Sequence, residues 1–142
     1  MFINLENQVA LVTGASRGIG QSIALSLGKQ NAFVIGTATT EDGAQKISSF
    51  LKEQNVLGKG IKLDVNDNEA ILKTVDGIIK EHGDISILVN NAGITKDMLL
   101  MRMKEEEWDD VMSTNLKSIF KNIIAFYNRF RFFSKSRKIR KY

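Results

Sequence analysis

Four short runs of strand character punctuate the first ninety residues, near 8–13, 32–37, 58–63 and 85–90, the third carried by Ile61 and Leu63 among glycines and lysines. Val9-Ala10-Leu11-Val12 and Ile85-Ser86-Ile87-Leu88-Val89 are almost continuous in apolar character. That pattern suits parallel strands covered on both faces better than strands with one wet side. Between and after these runs, apolar residues recur at helical spacing, which predicts helices near 18–30, 41–54, 67–82, 104–113 and 114–128. Strands alternating with helices imply βαβ units with right-handed crossovers, hence an α/β fold with a doubly wound parallel sheet. Two helix starts carry the expected chemistry. Thr40-Glu41-Asp42 and Asn66-Asp67-Asn68-Glu69 place capping side chains ahead of acids that suit the helix dipole.

The turn after the first run is the most informative local feature. Thr13-Gly14-Ala15-Ser16-Arg17-Gly18-Ile19-Gly20 joins a predicted strand to a predicted helix. In such a turn Gly14 allows the tight bend, Gly18 lets backbone approach a pyrophosphate, and Gly20 lets the helix pack closely. The N–H groups and positive dipole end of the helix then face an anion. Taken alone, the same residues also fit a glycine-rich turn without a ligand.

Composition narrows the class. The chain has 142 residues, 43% of them hydrophobic, which is one domain's worth of chain with enough apolar material for a core. It has no cysteine, so disulfides and thiolate metal sites are excluded, in keeping with a reducing, cytoplasmic setting. No basic segment followed by an apolar block marks a signal peptide, and no run approaches the roughly 18 apolar residues of a membrane span. The formal charge of +4 is unevenly distributed. Residues 1–110 hold eleven Lys and Arg against sixteen Asp and Glu, while residues 111–142 hold nine basic residues and no acid. The basic character belongs to the tail, not to the fold.

Three further motifs join the glycine turn. Asp64-Val65 follows the third run, Asn90-Asn91-Ala92-Gly93 ends the fourth, and Asn115 lies in Ser113-Thr114-Asn115-Leu116-Lys117 within a later helix. Together these resemble the short-chain dehydrogenase/reductase family. Within it the chain is similar to the bacterial 3-oxoacyl-(acyl-carrier-protein) reductases, through Gly93-Ile94-Thr95-Lys96-Asp97-Met98-Leu99-Leu100-Met101-Arg102-Met103 and through Ile35-Gly36-Thr37-Ala38-Thr39. The resemblance implies a Rossmann-type half-sheet of about four strands in order 3-2-1-4. The cofactor crevice would lie at the switch point between the first and fourth strands. All the motifs lie at strand ends or at the start of the next element, so they converge on one edge of that sheet.

The resemblance also implies roles. Gly14, Ala15, Ser16, Arg17, Gly18, Ile19 and Gly20 would cradle the pyrophosphate, and Asp64 and Val65 would flank the adenine. Asn91, Ala92 and Gly93 would floor the nicotinamide-side ribose. No acid ends the second run, where an NAD-binding fold commonly has one. Arg17 with the hydroxyls of Thr37 and Thr39 suits a 2′-phosphate instead, so NADPH is the expected cofactor. Other readings stay open: Arg17 as a solvated loop charge, Asp64 as a helix cap, and Asn91 as ordinary turn chemistry. Asn115 would help hold a water in a proton relay, or would simply bond neighbouring backbone. The implied activity is NADPH-dependent reduction of a 3-oxoacyl thioester on acyl carrier protein, in fatty-acid synthesis. The alternative is a non-catalytic nucleotide-binding fragment.

The family's Ser, its Tyr, and a Lys four residues after that Tyr are not found. Tyr127 is followed four residues later by Arg131, and Tyr142 is the last residue. Little turnover by the chain alone is expected. The family pattern holds through residues 1–120, the expected NADP-binding half-domain. Residues 121–142 form a basic aromatic tail that departs from it, as a frameshift would produce. That tail is expected to be a solvated extension; phosphate contacts with nucleic acid or a place on an anionic membrane are the other readings. The helix bearing Asn115 normally packs in a subunit interface in this family, so a homo-oligomer is expected for the intact lineage. His82, the single histidine, ends a helix beside Gly83 and lacks companions for a metal site. Trp108 is expected to pack its helix onto the body.

Overall fold

The computed structural model describes residues 3–94 and 103–125. In chain order the elements are β1 (Val9–Val12), α1 (Gly18–Lys29), β2 (Phe33–Ala38), α2 (Glu41–Glu53), β3 (Gly58–Lys62), α3 (Asn68–His82), β4 (Ile85–Val89) and α4 (Glu105–Met112). A wide π turn, Ser113–Lys117, follows α4, and residues 118–125 continue as helix. The segment 95–102, the end of the helix predicted to residue 128, Tyr127 and the rest of the tail lie outside the described residues.

All four strands are parallel, in the order β3-β2-β1-β4. The sequence predicts this order, and the reason is visible in the packing. Alternate residues of β1, β2 and β4 feed two separate cores. Ala10, Val12 and Val34 face Ala24 of α1 and Ile47, Phe50 and Leu51 of α2. Val9, Leu11, Ile35 and Ile85 face Ile71, Val75 and Ile78 of α3, with Ala125 from the last helical stretch. A sheet sandwiched this way needs apolar residues on both faces, which is why β1, β2 and β4 read as nearly unbroken runs, while β3 at the sheet edge carries lysines. One irregularity interrupts the ladder. Val9 pairs with Ile85 but Ala10 pairs with Ile87, so Ser86 is an extra residue in β4.

Helix ends are set by local chemistry. The Thr40 hydroxyl accepts the Gly43 N–H at 3.1 Å, and the Asp67 carboxylate accepts the Ala70 N–H at 3.0 Å. The cap of α3 is therefore Asp67, not Asp64. The C-termini of α1 and α2 repeat one device. Asn31 and Asn55 adopt positive φ (72° and 56°), and their N–H groups bond the Gly28 and Lys52 carbonyls. The next residues, Ala32 and Val56, return N–H bonds to Leu27 and Leu51 and pack into the same core. This is the double-bonded left-handed helix stop, built on asparagine where glycine is commoner.

Trp108 does not pack α4 onto the body: it is 50% exposed. Leu116, Phe120, Ile123 and Ile124, further along the same helical stretch, are exposed as well. His82 stacks on Phe33 with ring centroids 4.4 Å apart, and no metal-binding cluster occurs among the described residues.

The left-handed stop gives a direct test. Asn55→Ala should lower stability by about 1 kcal/mol, because a Cβ without the local amide disfavours positive φ. Asn55→Gly should be near neutral. Urea unfolding midpoints of the two variants check this.

Candidate functional site: a cleft at the β1–β4 switch point

The site begins with Thr13, buried at the end of β1. Its hydroxyl accepts two backbone N–H groups, from Asn91 and Ala92, each at 3.0 Å. Its own N–H donates to the Val89 carbonyl at 3.0 Å. The ends of β1 and β4 are thereby locked together. Asn91 completes the junction: its side-chain N–H₂ donates to the Thr13 carbonyl at 3.2 Å and the Gly14 carbonyl at 2.9 Å. The Asn-Asn-Ala-Gly turn is thus part of the support of the glycine loop, a link the sequence pattern does not reveal.

The glycines divide into two kinds. Gly14 has φ +64°, and a Cβ there would meet Ala92 backbone at 2.8 Å. A Cβ on Gly20 would lie 2.2 Å from the Gly14 carbonyl oxygen and 2.4 Å from Asn91 Nδ2. These two are demanded by the protein's own packing. Gly18 is different. It also has positive φ, at +59°, but nothing lies within 4 Å of where its Cβ would be. The space over Gly18 is open, at the first residue of α1. A groove of about 510 Å³ runs from there along α1, lined by Gly18, Ile19, Ser22, Ile23, Ser26 and Leu27.

Electrostatics single out the same helix end. The first turns of α2, α3 and α4 each hold acids: Glu41 and Asp42, Glu69, and Glu105 to Glu107. The first turn of α1 holds none, and Arg17 at its N-cap makes no side-chain capping bond. Ala15 is fully buried, its N–H bonded to the Thr37 carbonyl at 2.9 Å. Ser16 is half-buried, while Arg17 and Ile19 are exposed.

The end of β2 departs from the sequence expectation. Thr37 is 1% exposed and its hydroxyl accepts the Gly14 N–H at 3.4 Å. It faces the loop from behind and does not present its hydroxyl outward. Thr39 is exposed. Val65 is buried, and exposed Asp64 accepts the Asn66 N–H at 2.9 Å.

At the other end of the cleft, Asn115 lies in the π turn. Both its amide atoms engage one residue: Oδ1 accepts the Ile94 N–H at 2.7 Å and Nδ2 donates to the Ile94 carbonyl at 2.8 Å. Of the two roles open from sequence, the structure displays the backbone bond. A Cβ on Gly93 would come within 3.0 Å of Asn115 Oδ1, so this close approach needs glycine. Nearby, Asn122 is buried and donates to Asn90 Oδ1 at 3.1 Å. Thr13, Asn66, Asn90, Thr114 and Asn122 were not singled out as site residues from the sequence. A buried polar residue at a strand end, as at Thr13, is the signal that could have found one of them.

The family model for short chain dehydrogenase matches residues 8–137. The chain belongs to this family. Among similar proteins, the 3-oxoacyl-(acyl-carrier-protein) reductase FabG of Vibrio cholerae is 59% identical over 119 residues, covering 84% of this chain and 48% of that protein. The enzymes of the same name from Escherichia coli and Pseudomonas aeruginosa are 55% and 54% identical, with the same coverage. The chain spans about half the length of the curated relatives it matches. As a short chain dehydrogenase it has the glycine loop, the Asn-Asn-Ala-Gly turn and the helix asparagine on one edge of the sheet. Among the described residues no helix is long and apolar enough to cross a membrane.

The two kinds of glycine predict different penalties. Gly20→Ala should destabilise the fold by about 1–3 kcal/mol through overpacking. Gly18→Ala should lower it by only about 1 kcal/mol, from backbone strain alone. Thermal unfolding of both variants would separate them.

Proposed function

We propose that this chain forms the NADPH-binding half of a reductase acting on 3-oxoacyl thioesters of acyl carrier protein. The observation that carries the reading is the first turn of α1: open space over Gly18, with no acid of its own, held by Thr13, Thr37 and Asn91. Such a helix end suits a pyrophosphate, because the dipole and backbone N–H groups face the anion without a competing carboxylate.

The remaining residues fit the rest of the cofactor. Asp64 and Val65 suit the adenine pocket, and Ala92 and Gly93 suit the nicotinamide-side ribose. Exposed Arg17 and Thr39 flank the place where a 2′-phosphate would lie, and a guanidinium pairs well with phosphate. Gly43, in the first turn of α2, faces this loop: a Cβ there would be 3.7 Å from Ser16 Cβ. Thr37 serves by fixing Gly14. Asn115 serves by fixing Ile94 beside the nicotinamide floor. Bound NADPH would supply hydride to the 3-oxo carbon. The proton for the carbonyl oxygen comes, in the family, from a Tyr with a Lys four residues on, a pair this sequence does not contain.

Fatty-acid synthesis as the setting rests on the names of the relatives, which are 3-oxoacyl-(acyl-carrier-protein) reductases. The exposed apolar residues Trp108, Leu116, Phe120, Ile123 and Ile124 suit pairing with a second copy, since exposed apolar surface of this kind marks interaction sites.

Titration of the purified chain with reduced cofactors tests the proposal. NADPH should bind more tightly than NADH. Arg17→Ala should weaken NADPH about tenfold, as loss of a charge-assisted hydrogen bond does, and change NADH less than about twofold. Absence of NADPH binding by the folded chain would overturn the reading. A reductase assay on a 3-oxoacyl thioester separates the catalytic from the non-catalytic form.

A further inference from the structure

Asn66 occupies a position between the two ends of the cleft. Its backbone N–H bonds Asp64 Oδ1 at 2.9 Å, on the adenine side. Its side chain reaches across to the π turn. Nδ2 donates to Thr114 Oγ1 at 2.9 Å, and Oδ1 accepts from Ser113 Oγ at 3.0 Å. Its carbonyl accepts from Lys121 Nζ at 3.4 Å. One asparagine thus bonds residues 64, 113, 114 and 121.

The target of these bonds is an irregular piece of helix. In the π turn the Ser118 N–H bonds the Ser113 carbonyl, five residues back, and the Ser118 hydroxyl bonds the Thr114 carbonyl. A π turn inserted in an α-helix is less favourable than regular helix and persists where its surroundings hold it. Here it is held from two sides. Asn115 grips the Ile94 backbone, and the preceding two residues, Ser113 and Thr114, are gripped by Asn66. Thr114 is 9% exposed, so a hydroxyl deprived of its partner there would lose a hydrogen bond that water replaces poorly.

We infer that Asn66 is a positioning residue for the nicotinamide end of the cleft: it fixes the π turn, and through Asn115 it fixes the Ile94 backbone beside Gly93. The inference rests on the NADPH reading for what the cleft binds, but the positioning itself is a property of the chain without ligand. It also ties the loop bearing Asp64 to the loop bearing Gly93, so the two ends of a dinucleotide would meet surfaces joined through Asn66, the π turn and Asn115.

The test is amide hydrogen exchange on the full 142-residue chain, without ligand. Asn66→Leu should speed exchange at Ile94 and across residues 113–118 by about fivefold or more, the effect of about one lost net hydrogen bond. Amides of β1 and β2 should be unchanged, which also establishes that the variant is folded. Thr114→Val should do the same from the other side of the junction, and the double variant should be no faster than either single one. A second measurement reads the consequence. Asn66→Leu should weaken NADPH at least about threefold while adenosine 2′,5′-bisphosphate, which lacks the nicotinamide half, changes less than about twofold, within the range of a single net hydrogen bond.

Unchanged exchange at Ile94 in Asn66→Leu, or additive effects in the double variant, would overturn the inference. So would equal loss of NADPH and the bisphosphate, which is the signature of a general structural defect. If Asn66→Leu does not fold, Thr114→Val alone decides, by the same exchange at Ile94. Failure of the unaltered chain to bind NADPH would instead overturn the cofactor reading, and the exchange result would still decide the role of Asn66.

Discussion

The hydroxyl of Thr13 receives backbone N–H groups from two consecutive residues of another strand end, Asn91 and Ala92. Almost everything at the cleft depends on this junction. β1 and β4 are adjacent in the sheet but far apart in sequence, and their crossover connections lead away in different directions. The ends themselves are bonded to each other, and the crevice of a doubly wound sheet lies above them, where the two loops diverge. With Thr37 holding Gly14 from behind, the glycine loop is tied to both neighbouring strands before any ligand arrives. A loop held this way has little conformational entropy left to lose on binding.

Around that junction the protein distributes charge selectively. Acids occupy the first turns of three helices, where they offset the dipole. Among the described helices α1 has no acid in its first turn, and the residue at its N-cap is an arginine. The asymmetry has a clear physical consequence: of the four described helix starts, this one has no carboxylate of its own to offset the dipole. The same economy governs the glycines. Gly14 and Gly20 are small because neighbouring backbone leaves no room, whereas Gly18 is small beside open space.

Much of this fold could be read from hydrophobic patterning, because strands buried on both faces leave an unambiguous signature. Strand order followed from the alternation and the family resemblance together. Other features lay below what patterning can register. The stops at Asn31 and Asn55 depend on single residues at positive φ, and Gln-Asn does not advertise them as Gly would. The predicted break between helices at residues 113 and 114 falls on the π turn. An extra residue in one turn shifts the apolar period, so a continuous helix reads as two. At Thr37 the sequence supplied a hydroxyl in the right neighbourhood but not its direction, since alternate residues of a strand face opposite ways. Trp108 is expected from the sequence to pack its helix onto the body, yet it stands half exposed, and large aromatics also populate contact surfaces.

The placement of Trp108 has a practical corollary. It is the only tryptophan in the sequence, and it stands half in solvent on α4, whose exposed apolar surface it helps to form. Its indole emission therefore reports on a single locality. Whatever comes to cover that surface will move the ring from water into an apolar setting and shift its fluorescence to shorter wavelength, giving the chain an intrinsic optical sensor for its own association.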